Sequence, residues 1–312
     1  MFGGSKKKTY AIGVDLSGAG LAMAQLANGK EETVLLAGSR LARPKDIPSG
    51  SPQWQRWAID ALGEATSGKA FHGRNVTGAL PAAEVFIDHI KCPKPSKGSL
   101  ADAIFRKIKQ KLPFDAAPQN TLIKYIPTEQ DNLMVLATER VIVERHLAIY
   151  KRAGTKLSSL VAWPVALANC YVRFFGKRTA DVNEVVMLLD IRPDCTDVVI
   201  GRHGNPLFAC SIPIGSHVIQ DANALSKLEL DLKRARQYFQ SIYKNVPIER
   251  LIFLSGLAVD ESACKSLASQ LQIRAQLGDC YEAVAKQGAK TPDDSTDEGQ
   301  GSWALAFGLS LS

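Results

Sequence analysis

Residues 184–215 read EVVMLLDIRPDCTDVVIGRHGNPLFACSIPIG, and this stretch predicts three short strands joined by two turns. Residues 185–189 form a continuous apolar run of buried-strand length that leads into Asp190. Residues 196–200 and 207–212 predict the second and third strands, and the His-Gly-Asn between them has the composition of a hairpin turn. An aspartate at the mouth of a buried strand is well placed to hold a hydrated magnesium ion beside phosphates.

The start of the chain repeats the same unit. Residues 10–14 predict a strand that leads into Asp15, and residues 17–20, Ser-Gly-Ala-Gly, predict a turn. Residues 21–26 and 33–38 then predict two returning strands, joined through an Asn-Gly hairpin signal. Because each half of the chain begins with such a unit, the sequence predicts two similar lobes that face each other across a cleft.

Composition limits the class of protein. The chain has 312 residues, of which 46% are hydrophobic and 22% are charged, and this is typical of a globular protein with about two domains. No apolar run reaches the roughly 18 residues that a membrane-spanning helix requires. Residues 1–8, MFGGSKKK, lack the apolar core of a signal peptide. We therefore expect a cytoplasmic protein in which residues 1–8 form a flexible basic arm.

Cysteine spacing and charge argue against two further kinds of site. The six cysteines form no Cys-x-x-Cys pair and no metal-ligand spacing, which favours buried free thiols over a zinc site or a disulfide framework. The formal net charge of +7 is dispersed along the chain and is not clustered with aromatic residues. The sequence therefore predicts no nucleic-acid partner.

The pattern changes at residue 83. A predicted strand, a helix capped by Ser99, two further strands and a second helix follow one another within residues 83–160. This order predicts a small α+β subdomain inserted into the first lobe, which itself covers residues 9–82. A buried helix within residues 161–182 is expected to connect the insert back to the first lobe.

The rest of the chain predicts the second lobe and a closing helix. Within residues 183–288, a long amphipathic helix at 226–244 and a strand at 250–254 follow the three strands described above. Residues 289–301, rich in Asp, Ser, Thr and Gly, predict a flexible loop. Residues 302–312 are apolar and predict a C-terminal helix that returns to the first lobe.

The order of these elements resembles that of the actin-like ATPase superfamily. The resemblance rests on the repeated strand-Asp-turn-strand unit, the α+β insert, a strand that ends at Ser255-Gly256, and the closing helix. It implies an α/β, actin-like (ribonuclease H-like) fold of two lobes with an inserted subdomain. Within the superfamily the chain looks like the PilM family of type IV pilus assembly, which is itself similar to FtsA. The stretches that carry this similarity are residues 10–26, 105–114, 154–168, 212–215, 228–239 and 304–309.

This resemblance implies a function. PilM proteins lie in the cytoplasm beneath the inner membrane, bind the short N-terminal tail of the membrane protein PilN, and join other platform proteins that support the pilus machine. For this chain it implies a scaffold that reaches the membrane only through a PilN-like partner, whose tail lies in a groove beside residues 83–160. One alternative is a cytoplasmic domain like that of the type II secretion protein GspL, which shares the fold and carries a membrane helix after it. The sequence ends at Ser312 without such a helix, which favours the PilM family.

The resemblance also implies a nucleotide site between the lobes, with Asp15 and Asp190 positioning magnesium through water. The residues implied to contact the nucleotide are Asp15, Ser17, Gly18, Gly20, Asp190, Arg192, Thr196, Ser255 and Gly256. The resemblance implies that the first turn offers the N–H groups of its glycines to phosphate, that Thr196 lines the second phosphate turn, and that Ser255 and Gly256 approach the adenosine. Glycine lets main-chain N–H groups approach phosphate closely, and the family motif Asp-Ile-Gly ends in glycine. In this chain Ser17 stands at the glycine position of the first loop, and Arg192 stands there in the second. Two alternatives follow. Either ATP and magnesium bind as structural or regulatory ligands with Arg192 on a phosphate, or the site is weak or lost because Arg192 and Trp163 fill the cleft.

An active enzyme is a further alternative. No residue stands out as a general base or a water-positioning group, so catalytic residues are unknown and efficient ATP hydrolysis is not expected. A kinase of the same superfamily would need a catalytic carboxylate in the cleft. Asp60 and Glu64 are candidates, but a solvated face of the predicted helix at 55–66 explains them better.

Overall fold

The computed structural model describes residues 9–29, 32–94, 98–256, 259–286 and 301–312. The predicted basic arm at residues 1–8, and all but residue 301 of the predicted flexible loop at 289–301, lie outside these ranges. Within them, no helix combines the length and the apolar character needed to cross a membrane.

The described residues form fourteen strands and seven α-helices. The strands are β1 (Thr9–Leu16), β2 (Gly20–Asn28), β3 (Thr33–Ala42), β4 (Asn75–Gly78), β5 (Phe86–Lys91), β6 (Thr121–Pro127), β7 (Asn132–Glu139), β8 (Lys156–Leu160), β9 (Val185–Ile191), β10 (Thr196–Arg202), β11 (Asn205–Ile212), β12 (Arg250–Phe253), β13 (Arg274–Leu277) and β14 (Ala285–Lys286). The helices are α1 (Pro52–Ser67), α2 (Leu100–Ile108), α3 (Arg140–Arg152), α4 (Trp163–Phe174), α5 (Ala222–Ile242), α6 (Glu261–Leu271) and α7 (Ala304–Ser310).

The first lobe is built on a six-stranded sheet in the order β14-β3-β2-β1-β4-β8. Strands β1, β2 and β3 form an antiparallel meander, and β4 joins β1 in parallel. Side chains of β2 alternate between two apolar cores, because successive residues of a strand point to opposite faces. Leu21 and Met23 pack on the face that Trp54 of α1 covers, whereas Ala22 and Ala24 pack on the face that α4 and α7 cover.

The second lobe is built on a five-stranded sheet in the order β11-β10-β9-β12-β13. The hairpin predicted around residues 203–205 is confirmed: β10 and β11 pair antiparallel, and His203 adopts a left-handed conformation with φ of 50° in the turn. All seven residues of β9 are buried because helices cover both faces of the sheet. Leu232 and Phe239 of α5 pack on one face, and residues of α4 pack on the other.

The helix α4 lies between the two sheets. Its residues Ala166 and Leu167 belong to one apolar cluster with Ala24 of the first sheet and with Val186 and Val199 of the second. Pro164 stands in the first turn of α4, where the missing N–H has no helical partner to lose. The predicted connecting helix is therefore the structural link between the lobes.

The inserted subdomain has a three-stranded antiparallel sheet in the order β5-β7-β6, covered by α2. Helix α2 begins with a capping box in which Ser99 Oγ accepts from the Asp102 N–H and the Asp102 carboxylate accepts from the Ser99 N–H. Ile104 and Ile108 of α2 pack on Val135 in the middle of the sheet.

The boundaries of the insert differ from the prediction. We expected residues 83–160 to form one subdomain, but β8 pairs with β4 in the sheet of the first lobe. In α3, Ile149 and Tyr150 pack in the apolar core shared with β1 and α1. The inserted sheet therefore ends at Glu139, and the chain returns to the first lobe through α3 and β8, a short parallel strand that the sequence analysis missed.

Polar contacts join the insert to the second lobe. They are the hydrogen bond from the Ala209 N–H to His89 Nε2 at 3.1 Å, the hydroxyl pair of Thr128 and Tyr243 at 2.7 Å, and the ion pair of Arg202 with Glu129 at 2.8 Å. The insert therefore contacts both lobes and limits how far they can move apart.

The helix α7 returns to the first lobe, as the closing apolar segment predicts. It packs so closely that a Cβ atom built on Gly13 of β1 would lie 2.0 Å from the Ala306 carbonyl oxygen. One built on Gly308 would lie 1.9 Å from the Ala166 carbonyl oxygen of α4. The Ser310 hydroxyl donates to the Ala11 carbonyl at 2.7 Å and accepts from the Leu26 N–H at 3.1 Å.

Candidate functional site

Equivalent strands of the two lobes end at the cleft between the lobes: Asp15 lines this cleft, whereas Asp190 is buried and does not. Each aspartate is the penultimate residue of its strand, because β1 ends at Leu16 and β9 ends at Ile191. Each strand is followed by a turn and an antiparallel neighbour. In the second lobe, Asp197 of β10 lies opposite Asp190 of β9. A cleft of about 450 Å³ opens between the two turns and is lined by residues of both lobes.

Arg192 joins the two lobes across this cleft. Its Nη2 atom donates to both carboxylate oxygens of Asp15, at 2.8 and 2.7 Å, and its Nη1 atom lies 3.7 Å from an oxygen of Asp197. Arg192 and Asp15 are each 8% exposed, and Asp197 is fully buried. Burial lowers the pKa of Arg192, but the carboxylates of Asp15, Asp197 and Asp190 raise that pKa overall. The guanidinium therefore stays charged and neutralises the acidic centre of the cleft.

Asp190 is a second carboxylate beside Arg192, and it is 1% exposed. Neither of its oxygens makes a hydrogen bond of normal geometry with a described residue. Burial raises the pKa of Asp190 to about 6, against the opposing influence of Arg192 and of the nearby Ser302 hydroxyl. That hydroxyl donates instead to the Leu254 carbonyl at 3.5 Å. Asp190 is therefore poised to take up a proton rather than to present two free oxygens at the cleft.

Two further arginines near the cleft already have partners. The guanidinium of Arg40 lies 4.6 Å from the Trp303 ring centroid and donates to the Ser302 carbonyl, and burial lowers the pKa of Arg40 to about 10. Arg43 donates to the carbonyl oxygens of Gly18 and Ile47. Both side chains therefore support the walls of the cleft.

The first turn, predicted to bind phosphate, is closed on itself. The Ser17 N–H donates to the Gly20 carbonyl at 2.8 Å, and the Ala19 N–H donates to Ser17 Oγ at 3.3 Å. Packing explains both glycines: a Cβ atom on Gly18 would lie 2.9 Å from Ser49 Oγ, and one on Gly20 would lie 2.3 Å from the Leu41 carbonyl oxygen. Glycine is therefore required at both positions because neighbouring atoms of the protein leave no room for a side chain.

The second turn is also satisfied internally. The Arg192 N–H donates to the Cys195 carbonyl, and the Thr196 hydroxyl donates to the Ile214 carbonyl at 2.7 Å. Pro193 has no N–H to offer. Thr196, predicted to line this phosphate turn, is fully buried within the second lobe.

Ser255 and Gly256, the residues implied for adenosine, have structural contacts. The buried Ser255 hydroxyl accepts from the Ile191 N–H and so continues the contact between β12 and β9 beyond the end of β12. Gly256 has φ of +57°, and a Cβ atom there would lie 3.0 Å from the Asp279 carboxylate. This left-handed backbone beside a carboxylate explains the glycine.

The structure brings only part of the predicted set to the cleft. Asp15, Ser17, Gly20 and Arg192 line it, whereas Gly18, Asp190, Thr196, Ser255 and Gly256 do not. Asp197 and Arg40 were not among the predicted site residues. A charged residue inside an otherwise apolar strand was the available signal for Asp197, because a buried carboxylate requires a cation or a donor nearby.

Trp163 does not line the cleft. It lines a groove of about 440 Å³ between the inserted subdomain and β11, which we call the insert groove. The insert groove is formed by residues 83–87, Pro113, Phe114, Glu139, Ile142, Trp163, Cys210 and Ser211. Trp163 therefore does not fill the cleft, which corrects the alternative that paired it with Arg192. Arg192 lies across the cleft on Asp15 and leaves a space of about 450 Å³.

The residues present do not fit ATP with magnesium. Arg192 contacts both oxygens of Asp15, which the resemblance implies as a magnesium-positioning group. Where the chain is described, no set of three or more His, Cys, Asp or Glu side chains is arranged to hold a metal ion. Asp60 and Glu64 lie on α1 beside a shallow surface hollow with Trp57, outside the cleft, and cannot serve as its catalytic carboxylate.

Comparisons with known proteins agree on the fold. No family model and no curated protein sequence matches the chain. Among solved structures, a chain of a PilM-PilN type IV pilus biogenesis complex matches with a TM-score of 0.77 at 19% identity, covering 97% of this chain and 98% of that one.

Two other solved structures match less closely. The cytoplasmic domain of EpsL, an inner membrane component of the type II secretion system of Vibrio cholerae, matches with a TM-score of 0.53 at 13% identity, covering 96% of this chain and 94% of that one. The ethanolamine utilization protein EutJ from Carboxydothermus hydrogenoformans matches with a TM-score of 0.52 at 14% identity, covering 97% and 89%. The predicted fold class is confirmed: the chain has the two-lobed actin-like fold, and in fold it is similar to the chain from the PilM-PilN complex over nearly its whole length.

Proposed function

We propose that the chain is a scaffold protein of type IV pilus or related secretion assembly that binds the cytoplasmic tail of a PilN-like inner-membrane protein. The observation that carries this proposal is the match to the chain from the PilM-PilN complex, which extends over nearly all of both chains. In this proposal the chain is cytoplasmic and reaches the inner membrane, and the other platform proteins, through its partner.

The insert groove supports the proposal because it lies between two edge strands. Among the described residues, β5 pairs with β7 alone and β11 pairs with β10 alone, and the Ala209 N–H of β11 donates to His89 of β5. Residues at the start of β5 and at the end of β11 face each other across the groove. An extended peptide can add to such an edge through main-chain hydrogen bonds, with pockets for alternate side chains.

The apolar side chains of the groove give it a surface that a peptide could cover. Phe86, Phe114 and Ile142 are each partly buried, and Trp163 closes the groove with 1% of its surface exposed. Glu84 is held in place by Arg145 and by His146 Nε2, which lies 2.8 Å from its carboxylate. The groove is therefore preformed, which lowers the entropy lost on binding an extended segment.

The test is a binding titration with a fluorescently labelled peptide that matches the cytoplasmic tail of the PilN-like protein from the same organism. We expect saturable binding to the wild-type protein. Ile142→Glu should weaken that binding at least about tenfold, because it places a charge in an apolar groove. The matched control is Leu147→Glu on the same helix, because Leu147 is 45% exposed and lies outside the groove.

Either of two results would contradict the proposal: no binding by the wild-type protein, or equal loss of binding in both variants. The type II secretion alternative is tested in parallel with a tail peptide from a type II secretion inner-membrane component. Preference for that peptide would favour the alternative. The TM-score of 0.77 against 0.53 favours the pilus partner.

Nucleotide has no part in the proposal, because the cleft residues do not fit it. An active ATPase or kinase would instead require turnover of ATP, which a phosphate-release assay measures directly. We expect no release above that of an Asp15→Asn control.

A further inference from the structure

We propose that Arg192 is a built-in cation that takes over the role of a metal–nucleotide ligand and holds the two lobes closed. The inference does not depend on the identity of the partner. It rests on the observation that the residues in the cleft do not fit the magnesium–nucleotide ligand that the actin-like fold implies.

Arg192 bridges the two lobes. Its side chain leaves the second lobe next to β9, crosses the cleft, and contacts both carboxylate oxygens of Asp15 in the first lobe with one guanidinium nitrogen. Its other terminal nitrogen lies near Asp197 of its own lobe. One cation is thus shared by carboxylates of both lobes, which is how a bound metal would link them.

Arg192 also balances the negative charge of buried carboxylates. Asp15, Asp190 and Asp197 are all buried, with exposures of 8%, 1% and 0%. Removing charges from water is expensive unless an opposite charge is close, and Arg192 is the cation that contacts two of the three. A magnesium ion could approach Asp15 only after the guanidinium had left it.

Hydrogen bonds and close packing hold the main chain around Arg192 in place. Its N–H donates to the Cys195 carbonyl, and its carbonyl accepts from the Ser216 N–H at 2.8 Å. A Cβ atom on Gly215 would lie 2.2 Å from that same carbonyl oxygen, so the segment after β11 packs directly on the turn. The backbone that carries the arginine is therefore fixed within the second lobe, so Asp15 is freed only if the arginine side chain rotates or the lobes separate.

The first experiment titrates the wild-type protein with ATP and magnesium at millimolar concentration and follows its melting temperature and heat of binding. We expect no shift in Tm and no saturable heat, with or without magnesium. Binding that an Asp15→Asn variant abolishes would overturn the proposal, because the arginine would then have to release the aspartate for a ligand.

The second experiment removes the cation. Arg192→Ala should lower Tm by on the order of 10 °C, because it leaves buried carboxylates without a counter-charge. It should also increase the radius of gyration in small-angle scattering as the lobes separate. Arg192→Lys should recover part of the loss, since the ammonium keeps the charge but not the planar fork.

The matched control is Arg202→Ala, which removes the ion pair between the second lobe and the inserted subdomain. Arg202 pairs with Glu129, and both side chains are about one third exposed, so we expect a change in Tm of only a few degrees at most. An equal effect of the two alanine variants, or an unchanged radius of gyration in a folded Arg192→Ala protein, would contradict the proposal. If Arg192→Ala does not fold, the nucleotide titration of the wild-type protein still decides the question.

Discussion

The Nε2 atom of His89 accepts a hydrogen bond from the main-chain N–H of Ala209, 3.1 Å away. This contact ties the inserted subdomain to β11, and the imidazole stacks on Phe208 with ring centroids 4.3 Å apart. Only a neutral imidazole can accept this bond, since both nitrogens of the protonated ring carry a hydrogen. Burial lowers the pKa of His89 to about 4, although the neighbouring Asp88 carboxylate raises it.

We expect the free energy of unfolding to depend on His89 between pH 6.5 and pH 4. The pKa is lower in the folded protein than in the unfolded chain, so the contribution of His89 is complete above pH 6.5 and is lost as the pH falls to about 4. The loss should be on the order of 3 kcal/mol at most. Urea unfolding across this pH range measures it. His89→Gln should flatten the profile.

Asp190 should show the opposite sign. Its pKa in the folded protein, about 6, lies above its unfolded value, so the folded state holds the proton more tightly and loses stability as the pH rises from about 4 to 6. Asp190→Asn should therefore raise the free energy of unfolding at pH 7.5 by roughly 1–3 kcal/mol and leave it unchanged near pH 3. Denaturant unfolding at both pH values checks this. A variant that is less stable at pH 7.5 would show that the charge of Asp190 stabilises the fold.

Gly308→Ala should destabilise the first lobe strongly. A Cβ atom at that position would lie 1.9 Å from the Ala166 carbonyl oxygen, so α7 and α4 would have to move apart. We expect a loss of about 3 kcal/mol in the free energy of unfolding. Gly68→Ala is the matched control, because a Cβ atom there meets nothing within 4 Å and its φ of −68° suits alanine. Thermal unfolding of the two variants should separate them clearly.

The native protein should have one fast-reacting thiol. Cys92 is exposed, whereas Cys170, Cys264 and Cys280 are buried. Burial raises the pKa of Cys195 and of Cys210 to about 12, so little thiolate forms on either at neutral pH. Titration with a chromogenic disulfide should give one rapid equivalent, which Cys92→Ser removes. A rapid equivalent that remains in that variant would mean that one of the other thiols becomes accessible by local opening.

The sequence predicted the architecture because its strands are long apolar runs that end in clear turn signals. The run that became β9 is buried at every position, and the Asp-turn-strand pattern placed both lobes correctly. Two short edge elements, β13 and β14, were missed because four and two residues give no periodicity to read. The strand β8 was missed because none of its residues is buried and only two are leucine, so its pairing with β4 leaves no apolar pattern in the sequence.

The cleft was harder to predict than the fold. The approach of Asp15 to the other lobe was foreseeable, but its partner Arg192 lies 177 residues away, and only the tertiary fold brings the pair together. Local sequence could not show that the N–H groups of Ser17 and Ala19 form hydrogen bonds within the same turn. It also could not distinguish an arginine that binds phosphate from one that binds a carboxylate, because the same planar fork serves both.

The packing of α7 constrains the order in which the protein can mature on the ribosome. Ser310 bonds to Ala11 across 299 residues of sequence, and α7 fills the face of the first sheet between β1 and α4. The whole of the second lobe is translated before that helix, so its sheet can close on α5 and α6 while the first lobe still lacks one of its layers. A nascent chain arrested before residue 304 should therefore expose apolar surface on the first lobe, where chaperones that hold incomplete domains would bind.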